Sequence, residues 1–196
     1  MVSALISNGS RILTPGEAAS IRRVISKPSN RALYDLMLYT GLRLEEVRQL
    51  AEHPEIFDEE RGSVVIRSGK ARATQKTRNV ILSDKGREAV RAFLEAPKMP
   101  ASSSAWQTNL IRWCRAAGIA PLPVRADEGG NVYGITVRTT RKTWESWLIT
   151  AYPNRAVEIA MSQGHTESIA IKHYLNCNFT REEKAGIQEE VRGWGA

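Results

Sequence analysis

The sequence has few of the residues that build metal centres and disulfide frameworks. It has two cysteines and three histidines among 196 residues, and it contains no Cys-x-x-Cys or paired Cys/His spacing. Cys114 and Cys177 are therefore expected to be reduced thiols, as in a cytosolic protein, and no metal site is evident.

Long apolar runs are also missing. The first ten residues have no charged segment followed by a long apolar core, so they do not form a secretory signal. No stretch reaches the roughly 20 apolar residues that a membrane-spanning helix needs. We expect a soluble protein with no membrane partner, located in the cytoplasm, or in the host cytoplasm if a virus or mobile element encodes it.

Acidic residues are in deficit. Lys and Arg together number 28 against 21 Asp and Glu, which gives a net charge of +7. Such a balance is expected of a protein whose partner carries many phosphates, but composition alone also allows an anionic membrane surface or no specific partner. A hydrophobic content of 42% in a chain of this length is enough for one domain with its own core.

Local patterns predict a mainly helical chain with one small sheet. Thr14-Pro15-Gly16-Glu17 has the cap, proline and glutamate spacing of a helix start. Short apolar runs between Glu55 and Leu82 predict a three-stranded antiparallel sheet, whose second turn, Ser68 to Thr77, is a basic finger. Residues at helical spacing predict the other helices at 31–39, 44–50, 84–95, 103–117, 139–151, 154–162, 167–175 and 180–191.

Three separated motifs carry reactive or cationic side chains. Thr-Gly-Leu-Arg ends at Arg43, Arg-Thr-Thr-Arg runs from Arg138 to Arg141, and a Gly-His pair ending at His165 precedes Tyr174 by nine residues. Each motif alone has an ordinary explanation, such as a surface arginine, a solvated stripe or a structural tyrosine. Together they supply the nucleophile and the cations that phosphoryl transfer requires, and arginine's planar fork holds two phosphate oxygens at once.

In order and spacing these motifs resemble the catalytic domain of the tyrosine recombinase (phage integrase) family. The similarity rests on Thr-Gly-Leu-Arg-x-Glu-Glu-Val, a hairpin with lysines, Ile-Thr-x-Arg-x-x-Arg-x-Thr, and Gly-His followed after eight residues by Tyr. It covers residues 13–179, with 1–12 as an N-terminal tail and 180–196 as a C-terminal helix or tail. The resemblance implies an integrase-like fold, mainly α with a small three-stranded antiparallel β-sheet.

The resemblance also implies a function and roles for individual residues. The function is that of a site-specific DNA recombinase or integrase, which cleaves and rejoins DNA without metal, ATP or another cofactor. Tyr174 is the expected nucleophile and forms a 3′-phosphotyrosine. Arg43 and Arg141 are expected to clamp the scissile phosphate, with Arg138 and His165 as further hydrogen-bond donors.

The family lysine, which protonates the leaving 5′-oxygen, falls on Lys70 of the hairpin, with Lys76 as the alternative. One position departs from the family pattern, because Arg138 stands where histidine is common. Arginine donates hydrogen bonds to a phosphate but cannot accept the tyrosine proton. His165 or the phosphate itself would then have to assist.

The resemblance finally implies double-stranded DNA as partner and a homotetramer on DNA, with a monomer or weak oligomer when free. The 180–196 segment is expected either to exchange between protomers or to fold back on its own domain. Family members commonly carry an N-terminal helical domain, whereas only twelve residues precede the pattern here, so a fragment or a minimal member with weaker DNA binding is expected. Two alternatives are a non-catalytic DNA-binding relative and a type IB topoisomerase-like enzyme.

Overall fold

A computed structural model describes residues 4–7, 9–68, 76–120, 122, 134–164 and 177–195. Within these ranges the chain is mainly helical, as the sequence predicts, and no helix there combines the length and the apolarity needed to cross a bilayer. The helices are α1 Pro15–Val24, α2 Pro28–Thr40, α3 Leu44–Glu52, α4 Asp84–Glu95, α5 Ser103–Ala116, α6 Thr139–Ala151, α7 Ala156–Gln163 and α8 Arg181–Glu190. Short 3-10 turns occupy Pro54–Ile56 and Pro153–Arg155.

The predicted three-stranded antiparallel sheet is confirmed. Its strands are β3 Phe57–Asp58, β4 Ser63–Ser68 and β5 Lys76–Ile81, in the order β3-β4-β5. The strands extend further than predicted, because Ser68 pairs with Lys76 and Arg67 with Thr77. The basic finger is therefore shorter than the sequence analysis has it, and residues 69–75 lie outside the described part of the chain.

Residues 5–12 form a β-hairpin, which the polar tail assigned to this segment does not anticipate. Strand β1, Leu5–Ser7, pairs antiparallel with β2, Ser10–Ile12. Ile12 is fully buried, and the adjacent Leu13 amide donates to the Thr143 hydroxyl in α6 at 3.0 Å. Strands of three residues are too short to give a clear alternating pattern, so only their packing against α6 reveals them.

Side-chain caps and prolines set the helix starts. The Thr14 hydroxyl accepts from the Glu17 amide at 3.2 Å, and the Glu17 carboxylate accepts from the Thr14 amide at 3.0 Å, which is the predicted capping box. Pro28 is the first residue of α2, so this helix begins three residues before the predicted start at residue 31. Proline suits that position because its missing N–H has no partner within a helix there.

Helix α6 lies at the centre of the domain. It packs against β2, α2, α7 and α8, and its apolar stripe of Trp144, Trp147 and Leu148 is fully buried. The Trp147 indole donates to the Leu13 carbonyl at 2.9 Å, so the buried ring leaves no unpaired donor. Because α6 carries Arg141, this packing gives that arginine a rigid base.

The C-terminal segment packs against its own domain. Ile187, Val191 and Trp194 are buried, and the Trp194 indole donates to the carbonyl of Ile81 at the end of β5 at 3.0 Å. In the single chain this segment is folded back, which is one of the two arrangements left open by the sequence. Exchange of this segment between protomers stays a prediction.

Replacing Trp194 with alanine is expected to lower the free energy of unfolding by about 3–5 kcal/mol, because a large buried ring leaves a cavity. Met161→Ala is the control, since Met161 is 65% exposed and should change the free energy of unfolding by less than about 0.5 kcal/mol. Urea unfolding measures both variants. A Trp194→Ala protein as stable as the unaltered chain would contradict the packing.

The same unfolding experiment at low and high protein concentration separates the two arrangements of the tail. A tail bound to its own domain gives one midpoint at both concentrations. A tail exchanged between protomers makes the midpoint rise with concentration, because association then contributes to stability.

Candidate active site

Arg43 lies at the sharp turn between α2 and α3. Helix α2 is capped by Gly41, whose φ of 65° is left-handed, and Arg43 caps the N-terminus of α3. Its side chain is 49% exposed, and its Nη1 is 2.8 Å from Glu46 Oε1. The Glu46 carboxylate also accepts from the Arg43 amide at 2.7 Å, so it holds both the backbone and the guanidinium of Arg43.

Arg141 is the buried counterpart of Arg43. Its Nη1 donates to the Gly41 carbonyl at 2.6 Å, its Nη2 donates to the Gln163 carbonyl, and its Nε is 3.0 Å from Glu145 Oε1. Burial lowers the pKa of Arg141 to about 10, and Glu145 opposes this shift. The guanidinium therefore stays charged at neutral pH.

The charges of Arg43 and Arg78 also lower the pKa of Arg141, after the larger effect of burial. Repulsion between cations decays with distance and is screened by water, so Arg43 and Arg78 must lie near Arg141 to have this effect on it. The structure thus brings together two of the predicted site residues, Arg43 and Arg141, and adds a third arginine to them.

Arg78 on β5 is a further residue of this site, and the sequence analysis did not single it out. Its Nη2 donates to Glu46 Oε1 at 2.6 Å, and its Nη1 donates to the Ser162 carbonyl at the end of α7. The sequence holds one signal for this role. Arg78 stands two residues before the apolar Val80, which is buried, so both side chains face the same side of the sheet.

Glu46 is a buried carboxylate held between two arginines. Burial alone would raise its pKa, but the attraction and hydrogen bonds of Arg78 and Arg43 outweigh it, and the net effect lowers the pKa of Glu46. The carboxylate is therefore ionised at neutral pH. It is a further site residue that the sequence analysis did not single out.

The end of α7, just before His165, is held by several elements. Gln163 is fully buried, and its Nε2 donates to the carbonyl of Thr40 at 3.2 Å. The Ser162 hydroxyl accepts from the Ile81 amide at 3.0 Å. The turn that leads into His165 is thereby attached to α2 and to β5.

The structure describes only some of the remaining predicted site residues. Arg138 is exposed at the N-cap of α6, where its amide donates to the Thr136 hydroxyl at 3.1 Å. Lys76 is the first residue of β5, but its side chain is outside the described part. The other three, Lys70, His165 and Tyr174, lie outside the described residues altogether.

Three of the five tyrosines are engaged elsewhere. The hydroxyls of Tyr34 and Tyr152 donate to main-chain carbonyls at 3.2 and 3.3 Å, and that of Tyr39 donates to a glutamate carboxylate at 2.9 Å. Burial raises the pKa of Tyr34 and of Tyr39, which makes their phenolate forms less accessible. The other two tyrosines, Tyr133 and Tyr174, are not among the described residues.

The cysteines are poor nucleophiles in this fold. Burial raises the pKa of the Cys114 thiol to about 12, and it also raises that of Cys177. Thiols become reactive as thiolates, so both stay unreactive at neutral pH. In the described part of the chain, no group of three or more His, Cys, Asp and Glu side chains is placed to hold a metal ion.

Comparison with known proteins finds a likeness of fold. No protein-family model matches the sequence, and no curated protein is detectably similar to it. Among solved structures, XerA recombinase superposes with a TM-score of 0.63 at 17% identity, over 92% of this chain and 65% of that one. The Tn1549 transposon integrase in complex with transposon right end DNA superposes with a TM-score of 0.60 at 14% identity, over 92% and 65%.

A dimer of lambda integrase bound to a COC′ core site also has this fold, with a TM-score of 0.57 at 15% identity, over 84% of this chain and 59% of that one. The chain therefore spans less than two thirds of the length of these proteins. It has the fold of a tyrosine recombinase catalytic domain, and at such low identity the likeness is one of fold.

Gly41→Ala tests the turn that carries Arg43. An added Cβ would stand 2.5 Å from Gln163 Oε1 and 2.9 Å from Trp144 Cδ1, so both buried neighbours must move. We expect the free energy of unfolding to fall by about 3 kcal/mol or more, from overpacking together with left-handed strain.

Gly118→Ala is the matched control, because Gly118 has a φ of 71° but no atom within 4 Å of the added carbon. It should cost only the strain, about 1 kcal/mol. Equal losses in the two variants, measured by chemical denaturation, would contradict the close packing at Gly41.

Proposed function

We propose, from a recombinase catalytic-domain fold that carries a cluster of arginines, that this chain cleaves and rejoins DNA as a site-specific tyrosine recombinase. The observation that carries the proposal is the bond from Arg141 Nη1 to the carbonyl of Gly41. That bond attaches α6 to the turn that presents Arg43. Two arginines that are distant in sequence thereby lie near the end of α7, which precedes His165.

The arrangement suits a phosphodiester. Arg43 is half exposed, so its guanidinium is open to a phosphate, while the buried Arg141 adds a charge that persists at neutral pH. In the transition state of phosphoryl transfer, negative charge spreads over the nonbridging oxygens. Fixed cations in a partly dry site stabilise that charge without having to reorganise.

In the proposed reaction the Tyr174 hydroxyl attacks the scissile phosphorus. The phosphorus–tyrosine bond forms, the bond to the 5′-oxygen breaks, and a 3′-phosphotyrosine remains. Lys70, or alternatively Lys76, supplies the proton that the leaving 5′-oxygen takes up. The tyrosine proton passes to His165 or to the phosphate, because Arg138 cannot accept it.

Rejoining reverses these steps, with a 5′-hydroxyl of the partner strand as nucleophile. The phosphotyrosine conserves the energy of the original phosphodiester, so the proposed reaction needs neither ATP nor metal. Among the tyrosines that the structure describes, the hydroxyls of Tyr34, Tyr39 and Tyr152 are bound elsewhere, which supports the assignment of Tyr174.

The proposed partner is double-stranded DNA. A net charge of +7 supports this, as do the Tn1549 and lambda integrase structures of the same fold, which contain DNA. Exchange between two duplexes requires four active sites, so we propose a homotetramer on DNA and a monomer or weak oligomer when free. The cell compartment proposed is the cytoplasm.

Covalent capture tests the proposal. The chain is mixed at low salt with a pool of nicked duplexes of random sequence and is then denatured with detergent. Protein attached to DNA 3′ ends is expected, because loss of the short strand beyond the nick prevents rejoining. Tyr174→Phe should remove the adduct while DNA affinity is retained, and Tyr133→Phe, the matched control, should keep it.

Two outcomes contradict the proposal. DNA binding with no adduct from the unaltered chain would favour a non-catalytic DNA-binding relative. An adduct together with relaxation of supercoiled DNA by the monomer, and no strand exchange, would favour the topoisomerase-like alternative.

A further inference from the structure

We propose that Arg78 is a positioning residue, which orients Arg43 through Glu46 and anchors the end of α7 ahead of His165. The meaning of this role rests on the proposed recombinase function. The contacts that support it are independent of that function.

Arg78 joins two parts of the site that are far apart in sequence. Its Nη2 is 2.6 Å from Glu46 Oε1, and the Arg43 Nη1 is 2.8 Å from the same oxygen. Its Nη1 donates to the Ser162 carbonyl. One side chain thus reaches both the carboxylate that orients Arg43 and the last turn of α7.

The surroundings leave Arg78 little freedom. Its side chain is only 13% exposed, and a Cβ added to Gly164 would stand 2.9 Å from its Cδ and Nε. Gly164 has a left-handed φ of 70°, and its backbone lies directly against the Arg78 side chain. The planar guanidinium of an arginine can donate to two acceptors that lie in different directions, whereas a lysine ammonium is a single point of charge.

Sharing one carboxylate between two arginines also governs the charge of the site. A carboxylate paired with Arg43 alone would largely neutralise it. Because Arg78 binds the same Glu46 oxygen, the trio keeps one net positive charge, and Arg43 retains attraction for an incoming phosphate. Arg78 therefore orients Arg43 and preserves its charge without needing to touch DNA.

The test follows the Arg43 side chain by NMR of the full chain labelled with nitrogen-15 in its arginines. In the unaltered chain, the Arg43 Nε–H group should be ordered on the nanosecond timescale. Arg78→Met should make it mobile, and Arg78→Lys should have an intermediate effect. Arg91→Met is the control, because it removes an exposed ion pair with Glu59 at 2.7 Å.

Titration with inorganic phosphate gives a second readout, which general loosening of the fold would not predict. The dissociation constant for phosphate, followed at Arg43, should rise by about tenfold in Arg78→Met, the equivalent of one charge-assisted hydrogen bond. It should not change in Arg91→Met. An ordered Arg43 with unchanged phosphate affinity in Arg78→Met would overturn the proposal.

If Arg78→Met does not fold, Arg78→Lys carries the test, and an Arg43 as ordered and as phosphate-binding as in the unaltered chain would again overturn it. Failure of the proposed function is recognised separately. A chain that never forms a DNA adduct, but whose Arg43 loses order in Arg78→Met, supports the positioning role and contradicts the recombinase function. An adduct from the unaltered chain, with Arg43 unaffected in Arg78→Met, contradicts the positioning role alone.

Discussion

The bonds from the buried Arg141 guanidinium to the carbonyls of Gly41 and Gln163 are the interaction on which the rest of the site depends. Both acceptors end helices, where carbonyl groups lack partners within their own helix. Arg141 satisfies them and so uses its charge to join α2, α6 and α7 at one point. Gly41 is required there because a side chain would meet Gln163 and Trp144.

The electrostatics of the site follow from this arrangement. Removing a guanidinium from water is costly, which lowers the pKa of Arg141, and Glu145 offsets part of that cost. Glu46 pairs with both Arg43 and Arg78, and these two arginines lower its pKa despite its burial. Arg141 and Arg78 are largely buried and hold the elements of the site together, whereas Arg43 is half exposed to solvent.

Local signals predicted much of the fold. The Thr14 cap, the helical spacing of α6 and the short runs that became β4 and β5 depend on neighbours in sequence, so they can be recognised without a structure. The hairpin at residues 5–12 depends instead on packing against α6. The start of α2 was predicted three residues late, because a proline such as Pro28 can either end or begin a helix.

The site was predictable only in part, for a similar reason. Arg43 and Arg141 stand in recognisable motifs, and the structure brings them together. Arg78 and Gln163 owe their roles to contacts with Glu46 and Thr40, which are distant in sequence. A cation in a strand and an amide near a helix end have no local pattern that distinguishes them from surface residues.

The long-range closure of this site has a consequence for the order of folding. Arg141 binds a carbonyl 100 residues away, and Gln163 binds one 123 residues away. Closing such loops costs chain entropy before any contact compensates for it, so we expect the helices to form before the arginine cluster assembles. In the proposed function, a partly folded chain would carry the positive charge that attracts DNA but would lack the geometry to cut it. Late assembly would then confine the proposed cleavage to chains whose fold is complete.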